Sequence, residues 1–594
     1  MDEQLITCTI DGNTITTQKG TRILDACMTA GIKIPTLCYL KDVSAHGSCG
    51  MCMVEVEGAK RLVRSCMHSV TAGMVIHTHT QRVLHARKLN LELILANHPL
   101  VCTTCERNLN CELQSLSQQL GVRTSRFPRT KKKFEELDVT SASLVRDPNA
   151  CILCNRCVEV CSSMQSVSAI QLVGRGLKTK VATFYDQGLG NSVCTNCGQC
   201  SLVCPTAAIT EKSQQQQVFD ALSDPDLVVL VQTAPAIRVG LGEAMGLKEG
   251  SLVTGRMVSA LRSLGFDKVF DTQFAADLTI MEEAYELIHR LTHQGELPMI
   301  TSCSPGWIKF IETFYPEQVG HLSSCKSPQQ MFGAIAKTFY AEQANLDPRK
   351  IRVVSIMPCT AKKFEAGRSE MDSSFDYWKE KMNLGEDERF CDVDWALTTR
   401  ELAKMLKQVG IDFSALKEEA FDDPLGASTG GAVIFASSGG VMEAALRTAV
   451  EKLTGSVLAE VEFAQLRERT GIREAALQVG DSTIKVAVAN TLSNARVLLD
   501  QIQGGTSPYA FIEVMTCPDG CLGGGGQPIP TNADIRLKRA QSIYEEDRHK
   551  PIRKSHENPA IQDLYARFLD QPLSEMSHHL LHTTYTKRQE YPLG

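Results

Sequence analysis

Cys151-Ile152-Leu153-Cys154-Asn155-Arg156-Cys157-Val158-Glu159-Val160-Cys161 returns downstream as Cys194-Thr195-Asn196-Cys197-Gly198-Gln199-Cys200-Ser201-Leu202-Val203-Cys204-Pro205. Both copies separate their cysteines by two, two and three residues, and the second ends on Cys-Pro. Three thiolates at this spacing wrap one face of an iron–sulfur cubane, and the fourth cysteine of each run ligates the other cluster. Cys151, Cys154, Cys157 and Cys204 are therefore assigned to one [4Fe–4S] cluster. Cys194, Cys197, Cys200 and Cys161 are assigned to a second. A pair of zinc ribbons is the competing reading, and two full copies with a Cys-Pro ending weigh against it. Residues 141–214 are predicted to form a 2[4Fe–4S] ferredoxin-like domain.

Toward the N-terminus, Cys38, Cys49, Cys52 and Cys66 have another layout: one thiolate, a loop with a close pair, then a distant fourth. That is a plant-type [2Fe–2S] arrangement, with a longer first gap than usual. Gly47 and Gly50 let the loop backbone approach the sulfides. Leu5–Ile10 and Thr14–Thr16 flank Asp11-Gly12-Asn13 as a hairpin pattern. Residues 1–80 are thus expected to be a β-grasp [2Fe–2S] ferredoxin-like domain, with Cys8 and Cys27 as core thiols. Residues 81–140 begin with a helix over 81–96 and carry His98, Cys102, Cys105 and Cys111. Alone, that set suits zinc or iron. Beside three other clusters it points to a [4Fe–4S] cluster with one imidazole, whose neutral ligand raises the potential. Arg129-Thr130-Lys131-Lys132-Lys133 with Glu135-Glu136 reads as a solvated connector.

The whole chain fits this reading. Its 594 residues predict several domains. A formal net charge of -6 argues against nucleic acid as the main partner. No apolar run is long enough for a membrane span. Met1-Asp2-Glu3-Gln4 lacks a secretory profile, so the cytoplasm is expected. Disulfides are rare there. With 17 of the 23 cysteines before residue 205, in tight groups, metal binding is the natural reading.

From about residue 215, apolar strands such as Leu227–Val231 and Arg352–Ile356 alternate with helical stretches, so residues 215–594 are predicted to be an α/β domain. Three motifs stand at its strand ends, where α/β proteins place their sites. They are Thr301-Ser302-Cys303-Ser304-Pro305-Gly306-Trp307, Met357-Pro358-Cys359-Thr360-Ala361-Lys362 and Glu513-Val514-Met515-Thr516-Cys517-Pro518-Asp519-Gly520-Cys521. Gly523–Gly526 follow the third and allow close backbone approach. Four cysteines from three segments could converge on one metal centre. Gly240-Leu241-Gly242 misses the dinucleotide fingerprint, and no nicotinamide or flavin site is read in this chain.

These motifs resemble those of the [FeFe]-hydrogenases over nearly the whole chain, and the N-terminal cluster order is similar to that of the large members with four accessory clusters. The resemblance implies a reversible conversion of H2 to protons and electrons at an H-cluster. That group is a [4Fe–4S] cubane joined by a thiolate to a two-iron subsite with CO, cyanide and azadithiolate. It implies that Cys359 and Cys517 ligate the cubane and Cys521 bridges. Lys362 would hydrogen-bond a cyanide, and Met357 would pack on the two-iron subsite. Glu286, Ser323 and Glu283 would pass protons toward Cys303. The first motif departs from the family's Thr-Ser-Cys-Cys-Pro, because Ser304 stands where a thiolate ligand is expected. Either Cys303 ligates and a hydroxyl or water relays, or Ser304 ligates as an alkoxide. Softness favours the Cys303 thiolate. Cys325 reads as a buried thiol.

Within the family, the sequence looks like the catalytic subunits of NAD(P)-linked, electron-bifurcating hydrogenases. That likeness implies ferredoxin, a flavin-bearing NADH-binding subunit and a small [2Fe–2S] subunit as partners, with maturation proteins loading the two-iron subsite. Three accessory [4Fe–4S] clusters and one [2Fe–2S] cluster would carry the electrons. A stand-alone ferredoxin-dependent enzyme and a low-turnover H2 sensor are the alternatives. A complex-I-like subunit would share the N-terminal modules, but would not need Cys359 or the Cys517–Cys521 pair.

Overall fold

The computed structural model describes residues 4–41, 43–130, 135–458, 461–469, 471–479 and 482–590. The lysine run of the connector therefore lies outside the described residues. Leu5–Ile10 and Asn13–Gln18 form the expected antiparallel hairpin. Asp11 and Gly12 turn it at φ 48° and 86°. The hairpin joins a mixed five-stranded sheet. A short helix, Ile23–Thr29, packs on it, and Cys8 and Cys27 lie buried in the apolar core.

The helix Gln81–Leu95 starts where Thr80 accepts a hydrogen bond from the Val83 N–H. Leu91 and Leu95 enter an apolar cluster with Leu37, Met51, Leu113 and Leu116, so the first two segments share one core. The next joint is polar. The Glu112 N–H donates to the Pro205 carbonyl at 3.1 Å, and Arg156 pairs with Glu112 at 2.7 Å. The ferredoxin-like unit is tied together by Leu144–Arg146 pairing with Ile209–Glu211.

Among the described residues, the C-terminal half is built around two four-stranded sheets. In the first, Lys268–Asp271, Val228–Thr233, Ile351–Met357 and Trp395–Thr398 run parallel in that order. Helices cover both faces, which explains why Val229, Leu230 and Val231 are all buried. In the second, Met299–Ile300, Phe511–Met515 and Ser482–Asn490 are parallel, and Ile472–Val479 is antiparallel at the edge. Each buried Leu or Phe here contributes about 1.5–3 kcal/mol. Gly240 and Gly242 lie inside the helix Ile237–Ala244, and a Cβ on Gly240 would stand 2.3 Å from Gln527 Oε1. Packing accounts for that glycine.

The last segment forms the helices Ala533–His549, Pro559–Leu564 and Glu575–Leu581. The chain then turns back into the domain. The Lys326 N–H donates to the Leu581 carbonyl at 2.7 Å, and the Thr583 N–H to the Ser324 carbonyl at 2.8 Å. Cys325 and His582 form a β-bridge. Among the described residues, no helix is long and apolar enough to cross a membrane.

Candidate active site

The two repeated motifs make two cavities. Cys151, Cys154, Cys157 and Cys204 line one, and Cys161, Cys194, Cys197 and Cys200 line the other. Each cavity thus draws one cysteine from the other motif, Cys204 in the first and Cys161 in the second. Left-handed turns at Asn155 and Gly198, with φ 67° and 71°, start the short helices that follow each motif's second cysteine. In the first domain, Cys52 and Cys66 bring their sulfurs to 3.3 Å. Gly50, at φ 67°, has no room for a Cβ, which would meet the Asn90 amide at 2.5 Å. His98, Cys102 and Cys111 share a third cavity. Cys105 does not line it, although its N–H bonds the Cys102 carbonyl at 3.1 Å in the same turn.

A large cavity, of about 780 Å³, opens between the C-terminal ends of the two sheets. Cys303, Ser304, Met357, Cys359, Lys362, Cys517 and Cys521 all line it. Met357 and Met515 are the last residues of their strands, and Cys303 follows closely on the strand Met299–Ile300. Cys197 also lines this cavity, so the ferredoxin-like cavity and the large one share a wall. The glycine run makes that contact possible. A Cβ on Gly524 would lie 2.1 Å from the Pro358 carbonyl oxygen, and one on Gly525 would lie 2.2 Å from that of Cys197.

Ser304 caps the helix Pro305–Phe314 in extended conformation, φ -102° and ψ 101°. Consecutive side chains on extended backbone face opposite ways. Ser304 Oγ lies 2.8 Å from Thr516 Oγ1, beside Cys517. Cys303 packs on the other side, against an apolar cluster that includes Ile280 of the helix Thr272–Thr292. Lys362 Nζ donates to Ser327 Oγ at 2.7 Å, Glu365 Oε2 at 2.8 Å and the Cys303 carbonyl at 3.2 Å. Burial pushes the Cys303 and Cys517 thiols well up and Cys521 to about 12. Thiols so buried ionise only beside a strong positive charge.

The helix Thr272–Thr292 carries the carboxylates. Neither carboxylate oxygen of Glu283 is within hydrogen-bonding reach of a side-chain partner, and the group is fully buried. Burial, with the charges of Glu286 and Glu513 added, pushes Glu283 up to about 8. Glu286 sits one turn on. Arg290 Nη2 donates to its Oε1 at 2.7 Å, and Ser323 Oγ donates to its Oε2 at 2.7 Å. Ser323 thus reaches Glu286, while its hydroxyl makes no hydrogen bond to Glu283. Cys325 is buried with its sulfur 3.7 Å from Glu286 Oε2, and it does not line the large cavity.

The family described as iron only hydrogenase large subunit, C-terminal domain, matches residues 227–525. The chain belongs to the iron-only hydrogenases. It is an oxidoreductase acting on H2, with accessory iron–sulfur domains. A 2Fe-2S iron-sulfur cluster binding domain matches residues 3–81 and a 4Fe-4S dicluster domain residues 150–208. Between them, an NADH-ubiquinone oxidoreductase-G iron-sulfur binding region matches residues 87–126. The iron hydrogenase small subunit family matches residues 533–588.

The hydrogenase is 48% identical to the NADP-reducing hydrogenase subunit HndD of Solidesulfovibrio fructosivorans, over 98% of this chain and 99% of that one. It is 38% identical to iron hydrogenase 1 of Clostridium pasteurianum, over 98% of this chain and 100% of the relative. A solved [FeFe]-hydrogenase HydA1 variant from Chlamydomonas reinhardtii superposes with a TM-score of 0.56 at 40% identity, covering 63% of this chain and 99% of that one.

Three residues of the hydrogenase's carboxylate network were not found from sequence. Arg290 holds Glu286, and its i,i+4 spacing was the available signal. Tyr585 donates its hydroxyl to the Ser323 carbonyl at 2.5 Å, and His582 stands beside Ser324. Nothing local marks either residue, because the whole domain separates them from their partners.

Proposed function

We propose that this hydrogenase is the H2-converting subunit of a cytoplasmic, NAD(P)-linked and ferredoxin-linked electron-bifurcating complex. The observation that carries this reading is the near end-to-end match to an NADP-reducing hydrogenase subunit. The region shared with NADH-ubiquinone oxidoreductase-G supports it. The partners would be ferredoxin, a flavin-bearing NADH-binding subunit and a small [2Fe–2S] subunit, with maturation proteins loading the two-iron subsite. The test is purification of the complex from its native cell, followed by H2-dependent NAD(P)+ reduction with and without oxidised ferredoxin. Reduction requiring both acceptors is expected. A lone chain that reduces ferredoxin at full rate, without nicotinamide or flavin subunits, would support the stand-alone alternative instead.

The donor set fits an H-cluster: thiols lining one cavity that burial holds above their ordinary range despite the Lys362 charge beside them, a glycine cradle pressed against backbone carbonyls, and the buried Glu283 carboxyl close enough to act on Cys303. In this reading Cys359 and Cys517 hold the cubane, Cys521 bridges, and Ser304 takes the remaining corner as an oxygen ligand. That departs from the preference for Cys303 based on softness. Its support is the opposed directions of the two side chains, which leave Cys303 on the glutamate helix's side as the proton relay. When bound, the H-cluster with its CO, cyanide and azadithiolate ligands supplies the interconversion of protons, electrons and H2. The protein's own residues do the rest. Lys362 holds a positive charge at the cavity wall, Met357 excludes water, and Glu283 stays protonated at neutral pH, ready to give a proton toward Cys303. Glu286 and Ser323 recharge it from outside. Electrons would run from the [2Fe–2S] cluster through the His98, Cys102, Cys105 and Cys111 cluster and the two ferredoxin-like cubanes, leaving at Cys197.

A further inference from the structure

Glu286 is less deeply buried than Glu283, and its ion-pair neighbour Arg290 is a poor proton carrier. Arg290 holds Glu286 at 2.7 Å, yet a guanidinium does not release its proton in proteins. It positions the carboxylate and cannot charge it. On the opposite side the returning C-terminal segment brings an imidazole. His582 is buried, and one of its ring nitrogens lies within 4.8 Å of both a Glu286 oxygen and the Cys325 sulfur. That gap is the span of a single bridging water or hydroxyl. His582 Nδ1 is 2.8 Å from Ser324 Oγ, and Nε2 is 3.0 Å from Glu282 Oε2. The Ser324 N–H in turn donates to Glu286 at 3.2 Å. Outward, the exposed His578 lies over His582 with ring centroids 4.2 Å apart.

The groups facing His582 are Glu282, Glu286, Ser324, Cys325 and His578. Glu282 is fixed by Tyr565 Oη at 2.5 Å and Ser577 Oγ at 2.7 Å, so its carboxylate anchors one ring nitrogen and leaves the other toward Ser324 and Glu286. Imidazole is the side chain that takes up and releases a proton near neutral pH. Unlike the resident arginine, it can do so between the surface and a carboxylate.

We propose that His582 is a proton port of Glu286, fed from the surface past His578. The inference rests on the reading of Glu286 as part of the proton path. In the step, Nε2 keeps its proton on the Glu282 carboxylate; Nδ1 takes a proton from hydronium, leaving water, and passes one on through Ser324 Oγ or a bridging water to the Glu286 carboxylate, which becomes the acid. No electrons move. For H2 oxidation the same atoms run in reverse.

The test uses the matured, full-length enzyme and H2 evolution from reduced methyl viologen. His582→Gln keeps hydrogen-bonding atoms toward Ser324 and Glu282 but carries no proton. Turnover is expected to fall about tenfold, less than for loss of the whole relay. The KM for viologen should stay unchanged, the solvent deuterium isotope effect should rise, and added imidazole should restore the rate of His582→Ala. Infrared bands of the two-iron subsite should be unchanged in both variants. Parental turnover and isotope effect in His582→Gln would overturn the proposal. A loss of turnover without isotope change or imidazole rescue would also overturn it, leaving His582 as a structural support. If Glu286→Gln retains full activity while His582→Gln loses it, the underlying proton path fails instead.

Discussion

The electron side and the proton side of the large cavity are built by opposite means. On the electron side, each cavity takes its sulfurs from one or two short runs, and Cys197 brings the nearest of them to the wall. Spacing within a run fixes the geometry. On the proton side, the groups come from the helix Thr272–Thr292, the turn at residues 323–325 and the returning tail. Geometry there comes from packing between distant segments. Ligands to a cation can be encoded locally, because the ion itself draws them together. A relay of neutral and charged hydrogen-bonding groups has no such centre, so the fold must hold every member separately.

The largest separation of the two sides is expected from Cys521→Ser. It should abolish the two-iron subsite and all H2 turnover while leaving the accessory clusters. Infrared and EPR spectra on one sample check both halves. CO and cyanide bands surviving in the variant would remove Cys521 from the bridging role.

Glu286→Ala should break the proton side alone. Turnover should fall about 10²-fold with iron content and EPR signals intact. Full activity would take Glu286 out of the path. Glu283 sharpens the same contrast through pH. Its raised value, about 8, means the carboxyl keeps its proton at neutral pH and loses it as pH rises through 8. H2 evolution limited by that proton should decline above that point, and Glu283→Gln should remove the decline along with most of the rate.

The smallest effect on chemistry is expected at the seam between the halves. Arg400 pairs with Glu211 at 2.8 Å and ties the ferredoxin-like unit to the C-terminal domain. Burial raises the Glu211 pKa, but the Arg400 guanidinium outweighs it and holds the carboxyl at about 2. The stabilisation is therefore complete above the ordinary glutamate value and is lost as pH falls toward 2. Arg400→Leu leaves a buried charge unpaired and should cost about 3–5 kcal/mol in denaturant melts. Turnover per loaded site should not change. A stable variant with slowed turnover would show that the seam matters to electron delivery itself.

The legible parts of the sequence follow the same division. The spacing of the Cys151–Cys161 and Cys194–Cys204 runs anticipates which cysteines line each cavity, because that grouping is set by local chain geometry. The strand-end motifs at Cys303, Cys359 and Cys517 disclosed a shared site. Which way Cys303 and Ser304 face was not legible, since it depends on the extended backbone ahead of Pro305 and on Thr516 across the cavity. The tail is largely helical, over Ala533–His549, Pro559–Leu564 and Glu575–Leu581. Its return to Ser323 and Ser324 depends on backbone hydrogen bonds across the domain, and backbone groups leave no mark in side-chain patterns.

Cys197 stands in the wall of two cavities at once. If each holds an iron–sulfur group, an electron resting on one lies close enough to repel an electron on the other through low-dielectric protein. The two centres would then titrate as a coupled pair, with the second reduction harder than the first. Negative cooperativity of this kind works as a ratchet. Filling the outer centre would then make the inner one a stronger electron donor, and emptying it would make the inner one a better acceptor. The direction of net flow would follow how full the relay is, without any moving part.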